Sequence, residues 1–195
     1  MKSINKLTLW CLSSALALAL FSSPAKAASG DPLYLDIHVY INATKDITVN
    51  STSYAFGAVP VSSAVVSGSS ITVTNSANGI IETYRLLAGN AASDSAGTNW
   101  TRDDSTASIS SEHYAIAAQF SDTQPAGYLE NSWVNDYLTG SAVTATTSIF
   151  GNGNGAQSGA AISPAGIRGL WFRLHTPPTT NDPGSHTATV TLSVL

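Results

Sequence analysis

The chain has 195 residues, of which only 10% are charged, and its formal net charge is −4. Globular proteins are typically about one-quarter charged, so Ser, Thr, Asn, Gly and Ala take the place of most surface charge here. An acidic chain with few basic residues repels phosphate backbones and anionic lipids, which argues against nucleic acid and acidic membranes as partners.

The first 27 residues have the pattern of a cleaved signal peptide. Lys2 and Lys6 precede an apolar run over 7–21, and a small-x-small cleavage motif ends at Ala27. The run is shorter than the roughly 20 apolar residues that a membrane-spanning helix needs. We therefore expect a mature protein of residues 28–195, without an integral membrane segment. It would be secreted to the periplasm, the cell surface or the medium.

Removal of the signal would leave five basic residues against twelve acidic ones and no cysteine, because the single cysteine is Cys11. The mature protein would therefore have no disulfide, thiol nucleophile or thiolate metal site. A chain of this length buries enough surface to fold as one domain without such a cross-link.

Period-two alternation of apolar and polar residues dominates the mature chain and predicts an all-β fold. The first strand is predicted over 33–41, with its odd-numbered apolar residues on one face and Tyr34 and Tyr40 on the other. Further strands are predicted over 47–49, 71–75, 80–87, 114–120, 143–149, 170–175 and 187–194.

Turn signals set how these strands connect. The turn at 76–79 predicts a hairpin between 71–75 and 80–87, and a single helical turn is predicted around 133–138. Together the segments predict an antiparallel, two-sheet, Ig-like β-sandwich of about seven to nine strands in one domain.

Three segments resemble bacterial secreted Ig-like sandwiches. The order of motifs resembles that of WxL-type, hydin-type and TasA/camelysin-like surface and matrix domains. The motifs are Tyr54–Val59 (YAFGAV), Ile71–Asn75 (ITVTN) and Tyr84–Leu86 (YRL). The resemblance implies a β-sandwich, and for WxL domains it implies attachment to peptidoglycan. The chain departs from the WxL pattern, because Tyr84 stands in place of the first tryptophan and the later motif reads Trp171-Phe-Arg-Leu.

No catalytic or cofactor motif is present, so neither an enzyme nor a bound cofactor is expected. Four histidines remain in the mature chain, and none of them has metal-ligand spacing: His38, His113, His175 and His186. His186 falls in register with the residues on the inward face of the last strand. A secreted hydrolase would need two facing carboxylates or a Ser–His contact in the fold. Structural calcium is the one metal hypothesis, and its candidate ligands are Asp94, Asp103, Asp104 and Asp122.

The candidate contact residues are aromatic. Tyr34 and Tyr40 alternate outward on the first strand, Trp171 and Arg173 alternate outward on a later one, and Trp133 falls in a loop. Exposed aromatic rings stack on sugars or on a neighbouring protein, unless a second sheet or a long loop covers them.

Two functions follow as hypotheses from this pattern. The first is a non-catalytic structural or adhesive protein of the bacterial surface or matrix, whose first strand either completes a neighbour's sheet by β-strand addition or pairs within its own domain. The second is a module that binds polysaccharide or peptidoglycan through the exposed aromatic residues.

Overall fold

The structure is a computed structural model that describes residues 34–43, 46–94, 96–107, 109–125, 133–151 and 157–195. The predicted signal peptide lies outside these ranges. Within them the chain forms eleven strands: β1 (Tyr34–Ala43), β2 (Ile47–Val49), β3 (Ser53–Pro60), β4 (Ala64–Val66), β5 (Ile71–Asn75), β6 (Tyr84–Ser93), β7 (Thr101–Asp103), β8 (His113–Phe120), β9 (Val143–Thr144), β10 (Ile167–His175) and β11 (His186–Val194). None of the described residues forms a helix that could cross a membrane.

The strands form two sheets that pack together as a β-sandwich, and the predicted all-β fold is confirmed. The first sheet has the order β3-β1-β11-β6-β9. The second has the order β2-β5-β10-β8-β7, with β4 also paired to β10. Consecutive strands alternate repeatedly between the sheets, so each sheet is assembled from distant parts of the chain.

Three local predictions are wrong. The sheets are mixed rather than antiparallel, because β1 runs parallel to β11 and β7 runs parallel to β8. Strands β5 and β6 lie in different sheets and form no hairpin, since the segment between them crosses from one sheet to the other. The segment around 133–138 is a turn, closed by the Asp136 amide donating to the Trp133 carbonyl, and not a helical turn.

The core lies between the inner faces of the sheets, where the predicted alternation is confirmed. Apolar side chains recur at every second position along most of β1, β10 and β11 and are buried against the opposite sheet. The principal contributors are Ile37, Val39, Ile41, Leu86, Ile116, Phe120, Leu170, Phe172, Leu174, Val190 and Leu192.

Gly57 lies beside an irregularity in the pairing of β3 with β1. Its φ is +69°, in the left-handed region that favours glycine. The register of β1 against β3 shifts beside it, between Ile37 and His38. A β-bulge of this kind twists the strand locally and interrupts its pairing edge.

Candidate functional site

The five predicted contact residues do not form an exposed platform. Tyr40 is 47% exposed, and the side chain of Tyr34 lies outside the described residues. Trp133, Trp171 and Arg173 are only 0%, 8% and 4% exposed. Of the two alternatives that the sequence left open for these aromatic residues, exposure or cover by another part of the chain, the structure shows cover at Trp133 and Trp171, and Arg173 is buried with them.

The three side chains are buried because a loop covers the outer face of the second sheet. The small side chains of Ala115 and Ala117 leave space above the outer face of β8. Three larger side chains pack into this space as a small second core, namely Trp133, Tyr137 and Trp171. Tyr137 forms a β-bridge with Ala117, so the covering segment extends the sheet at this edge. We call these five residues the aromatic layer.

Asp136 anchors the covering segment, which contributes Trp133 and Tyr137 to the aromatic layer. Its buried carboxylate accepts hydrogen bonds from the Phe150 amide, the Gly151 amide and the Gln119 side-chain amide. Burial raises the pKa of Asp136 to about 7, although these three hydrogen bonds act in the opposite direction. Sequence reasoning missed this residue, since nothing in its neighbourhood marks an aspartate as buried.

A second polar cluster closes the end of the sandwich where β1 and β11 begin. His186 is fully buried, as its register with the inward face of the last strand predicts. Its ring stacks on that of Trp100, with 3.8 Å between the ring centroids. Its two ring nitrogens lie 3.0 and 3.1 Å from backbone carbonyl oxygens, and Asp182 lies 3.6 Å away. Burial alone would raise the pKa of Asp182, but hydrogen bonds, including one from Ser93, and the nearby His186 hold it below its usual value.

The candidate calcium ligands each have a separate protein partner. Asp103 contacts His113 at 2.9 Å, and Asp104 pairs with Arg102. Asp94 accepts hydrogen bonds from Ser185 and Thr187, which lower its pKa, and Asp122 accepts one from Gln157. In the described ranges no three metal-ligating side chains converge.

The first strand is paired with a neighbouring strand on each of its two edges. Strand β1 lies inside the first sheet, paired in parallel with β11 on one side and antiparallel with β3 on the other. Its inward side chains Ile37, Val39 and Ile41 are 5% exposed or less and insert between the sheets. We call the space between β3 and β11 that these residues fill the β1 slot.

The outer edges of both sheets offer little for strand addition. The edge strands β2, β4 and β7 have three residues each, and β9 has two. Among the described strands the one long edge strand is β3, which is interrupted by the bulge at Gly57 and ends at Pro60. Short strands, bulges and prolines are common ways to prevent edge-to-edge association.

No protein-family model matches the sequence, and no curated protein matches it. The β1 slot combines a terminal position in the described chain, two pairing edges of seven residues each and a row of buried apolar side chains.

Proposed function

We propose that the protein is a non-catalytic, secreted structural or adhesive protein of the bacterial cell surface or extracellular matrix, and that copies associate by exchanging β1. The observation that carries the proposal is the β1 slot. The first described strand lies inside a sheet, between β3 and β11, yet only three residues, 44–46, join it to β2.

Exchange of β1 between two copies would reproduce every contact that the strand makes in one copy. The strand would keep its pairing with β3 and β11 and would bury Ile37, Val39 and Ile41 in the same positions. The free-energy difference between the closed and exchanged forms is then confined to the connection, to any new interface and to the entropy of association.

The alternative route, addition of a neighbour's strand to a sheet edge, is disfavoured by the edges themselves. Among the described strands, four of the five edge strands have three residues or fewer, and β3 carries the bulge. A protein that associates through its sheets is then left with the β1 slot, which takes a strand of ten residues.

An engineered disulfide between β1 and β3 tests the exchange. Ile41 donates its amide hydrogen to Thr52, so the next pair, Tyr40 and Ser53, is a non-hydrogen-bonded pair with closely spaced side chains. In the variant Tyr40→Cys/Ser53→Cys, refolded at high protein concentration and then oxidised, we expect covalent dimers on non-reducing gels. Exclusively intrachain disulfides at every concentration would contradict the proposal.

A matched control uses two strands that remain in one copy during the exchange. Arg85 on β6 and Thr144 on β9 also lie next to a hydrogen-bonded pair, Tyr84 and Ala145. The variant Arg85→Cys/Thr144→Cys should form only intrachain disulfides under the same conditions. Interchain products in this control would show that the cross-linking arises from collisions and not from exchange.

A further inference from the structure

The connection between β1 and β2 limits how two exchanged copies can be arranged. Ala43 at the end of β1 and Ile47 at the start of β2 are separated by three residues, which span about 14 Å at most when extended. When β1 of one copy fills the slot of another, Ala43 belongs to the acceptor body and Ile47 to the donor body. The ends of the two bodies that carry these residues must therefore touch.

The same end of the sandwich carries the largest group of exposed apolar residues. Of the six exposed large hydrophobic side chains among the described residues, four lie here. They are Ile80, Ile81, Ile167 and Leu195, with exposed fractions of 61%, 66%, 58% and 74%. We call this group the isoleucine tip.

Hydrogen bonds place the isoleucine tip beside the connection. Ser76, which begins the turn that leads to Ile80, donates its amide hydrogen to the Asp46 carbonyl inside the connection. Asn75 donates from its side chain to the Ile80 carbonyl and from its backbone to Gly166, the residue before Ile167. Leu195 donates to Thr83, two residues after Ile81.

We propose that the isoleucine tip is the contact surface for a second copy of this chain in a closed, two-fold dimer formed by reciprocal exchange of β1. The inference rests on the exchange proposed above. Because donor and acceptor meet at the same end, a two-fold axis there brings the two tips together, and each copy both donates and receives a strand. Burial of the apolar side chains against each other then stabilises the exchanged form over two separate monomers.

The geometry also disfavours an open chain of exchanged copies. In a linear polymer, each internal copy would receive a strand at the end with the isoleucine tip and would donate its own from that same end. The short connection would force two neighbours onto one tip. Reciprocal exchange uses both connections and both slots in a single contact, so association stops at two copies.

Charge substitutions in the tip test this contact. In the exported protein carrying Tyr40→Cys/Ser53→Cys, refolded at high concentration, we expect covalent dimers and no higher species. Adding Ile81→Asp should reduce the dimer fraction about tenfold, because the aspartate would be buried against the second copy. Adding Val134→Asp is the matched control, since Val134 is 59% exposed but lies on the segment over β8, and it should leave the dimer fraction unchanged.

The outcomes separate this inference from the proposed function. A ladder of covalent trimers and larger species would retain strand exchange but overturn the closed dimer. Dimers that withstand both Ile81→Asp and Ile80→Asp would retain exchange but overturn the tip contact. Exclusively intrachain disulfides would overturn both. Thermal unfolding of the Ile81→Asp monomer at the same temperature as the Val134→Asp monomer confirms that neither substitution acts by unfolding the chain.

Discussion

Replacement of Asp136 by Asn is expected to remove most of the pH dependence of stability between about pH 4 and pH 7. Burial raises the pKa of this carboxyl to about 7 from an ordinary value of 3.8. The folded state therefore holds the proton more tightly than the unfolded chain does. The contribution to the free energy of unfolding is fully present below about pH 4 and is lost as the pH rises through about 7.

The expected size of this effect is set by the shift in pKa. About three pH units at about 1.4 kcal/mol each give a loss of about 4 kcal/mol, and the opposing effect of the three amide donors is already contained in the pKa of about 7. Urea unfolding across this range, on wild type and on Asp136→Asn, measures the loss as a difference between the two proteins. At low pH the wild type should be the more stable, and the gap should close or reverse as the pH rises.

Comparison of the two proteins isolates Asp136 from other titrating groups, such as Glu82, whose pKa is raised by burial and by the nearby Asp46. Asp122→Asn is a suitable control, since this carboxyl is exposed and accepts a hydrogen bond from the Gln157 side chain. Its pH profile should run parallel to that of the wild type. If the profile of Asp136→Asn also runs parallel, the carboxyl at position 136 does not bind its proton more tightly in the folded state.

The importance of Asp136 comes from the segments that it joins. It lies on the covering segment, and its carboxylate holds the backbone of Phe150 and Gly151 beside β8. Phe150 is buried with a φ of +57°, a conformation that costs energy for a non-glycine residue. Two successive amides directed at one carboxylate help to hold that conformation in place.

Alternation in the sequence predicted the inner faces of the sandwich correctly because burial between two sheets imposes a period of two. The inward side chains Ile37, Val39 and Ile41, and the inward His186, follow from that period alone. The outer face could not be predicted in the same way. Alternation shows that Trp171 and Arg173 point away from the core, but it carries no information on what packs above them.

A signal for the covered face was nevertheless present on β8. Ala115 and Ala117 occupy its outward positions, where polar residues are usual on a solvated face, and small side chains leave room for Trp133 and Tyr137. The parallel pairing of β1 with β11 had no comparable signal. It joins two strands about 150 residues apart, and such pairing depends on the whole topology and not on local pattern.

Truncation of Trp133 is expected to destabilise the fold strongly, since the side chain is fully buried in the aromatic layer. Trp133→Ala should lower the free energy of unfolding by about 3–5 kcal/mol, the usual cost of removing a buried large aromatic side chain. Trp171→Ala should have a similar effect, because its indole also donates a hydrogen bond to the Ser121 carbonyl. Chemical denaturation followed by circular dichroism measures both.

Tyr40→Ala provides the comparison, because this ring is about half exposed and should change stability by no more than about 0.5 kcal/mol. The contrast distinguishes an aromatic residue that holds the fold from one that is free to contact a partner. Trp133→Ala and Trp171→Ala variants as stable as Tyr40→Ala would show that the aromatic layer contributes nothing to folding, and their rings would again be candidates for ligand contact. If both variants are strongly destabilised, any loss of binding that they show reports an unfolded chain. A surface contact by the predicted aromatic residues is then best tested at Tyr40, whose removal leaves the fold intact.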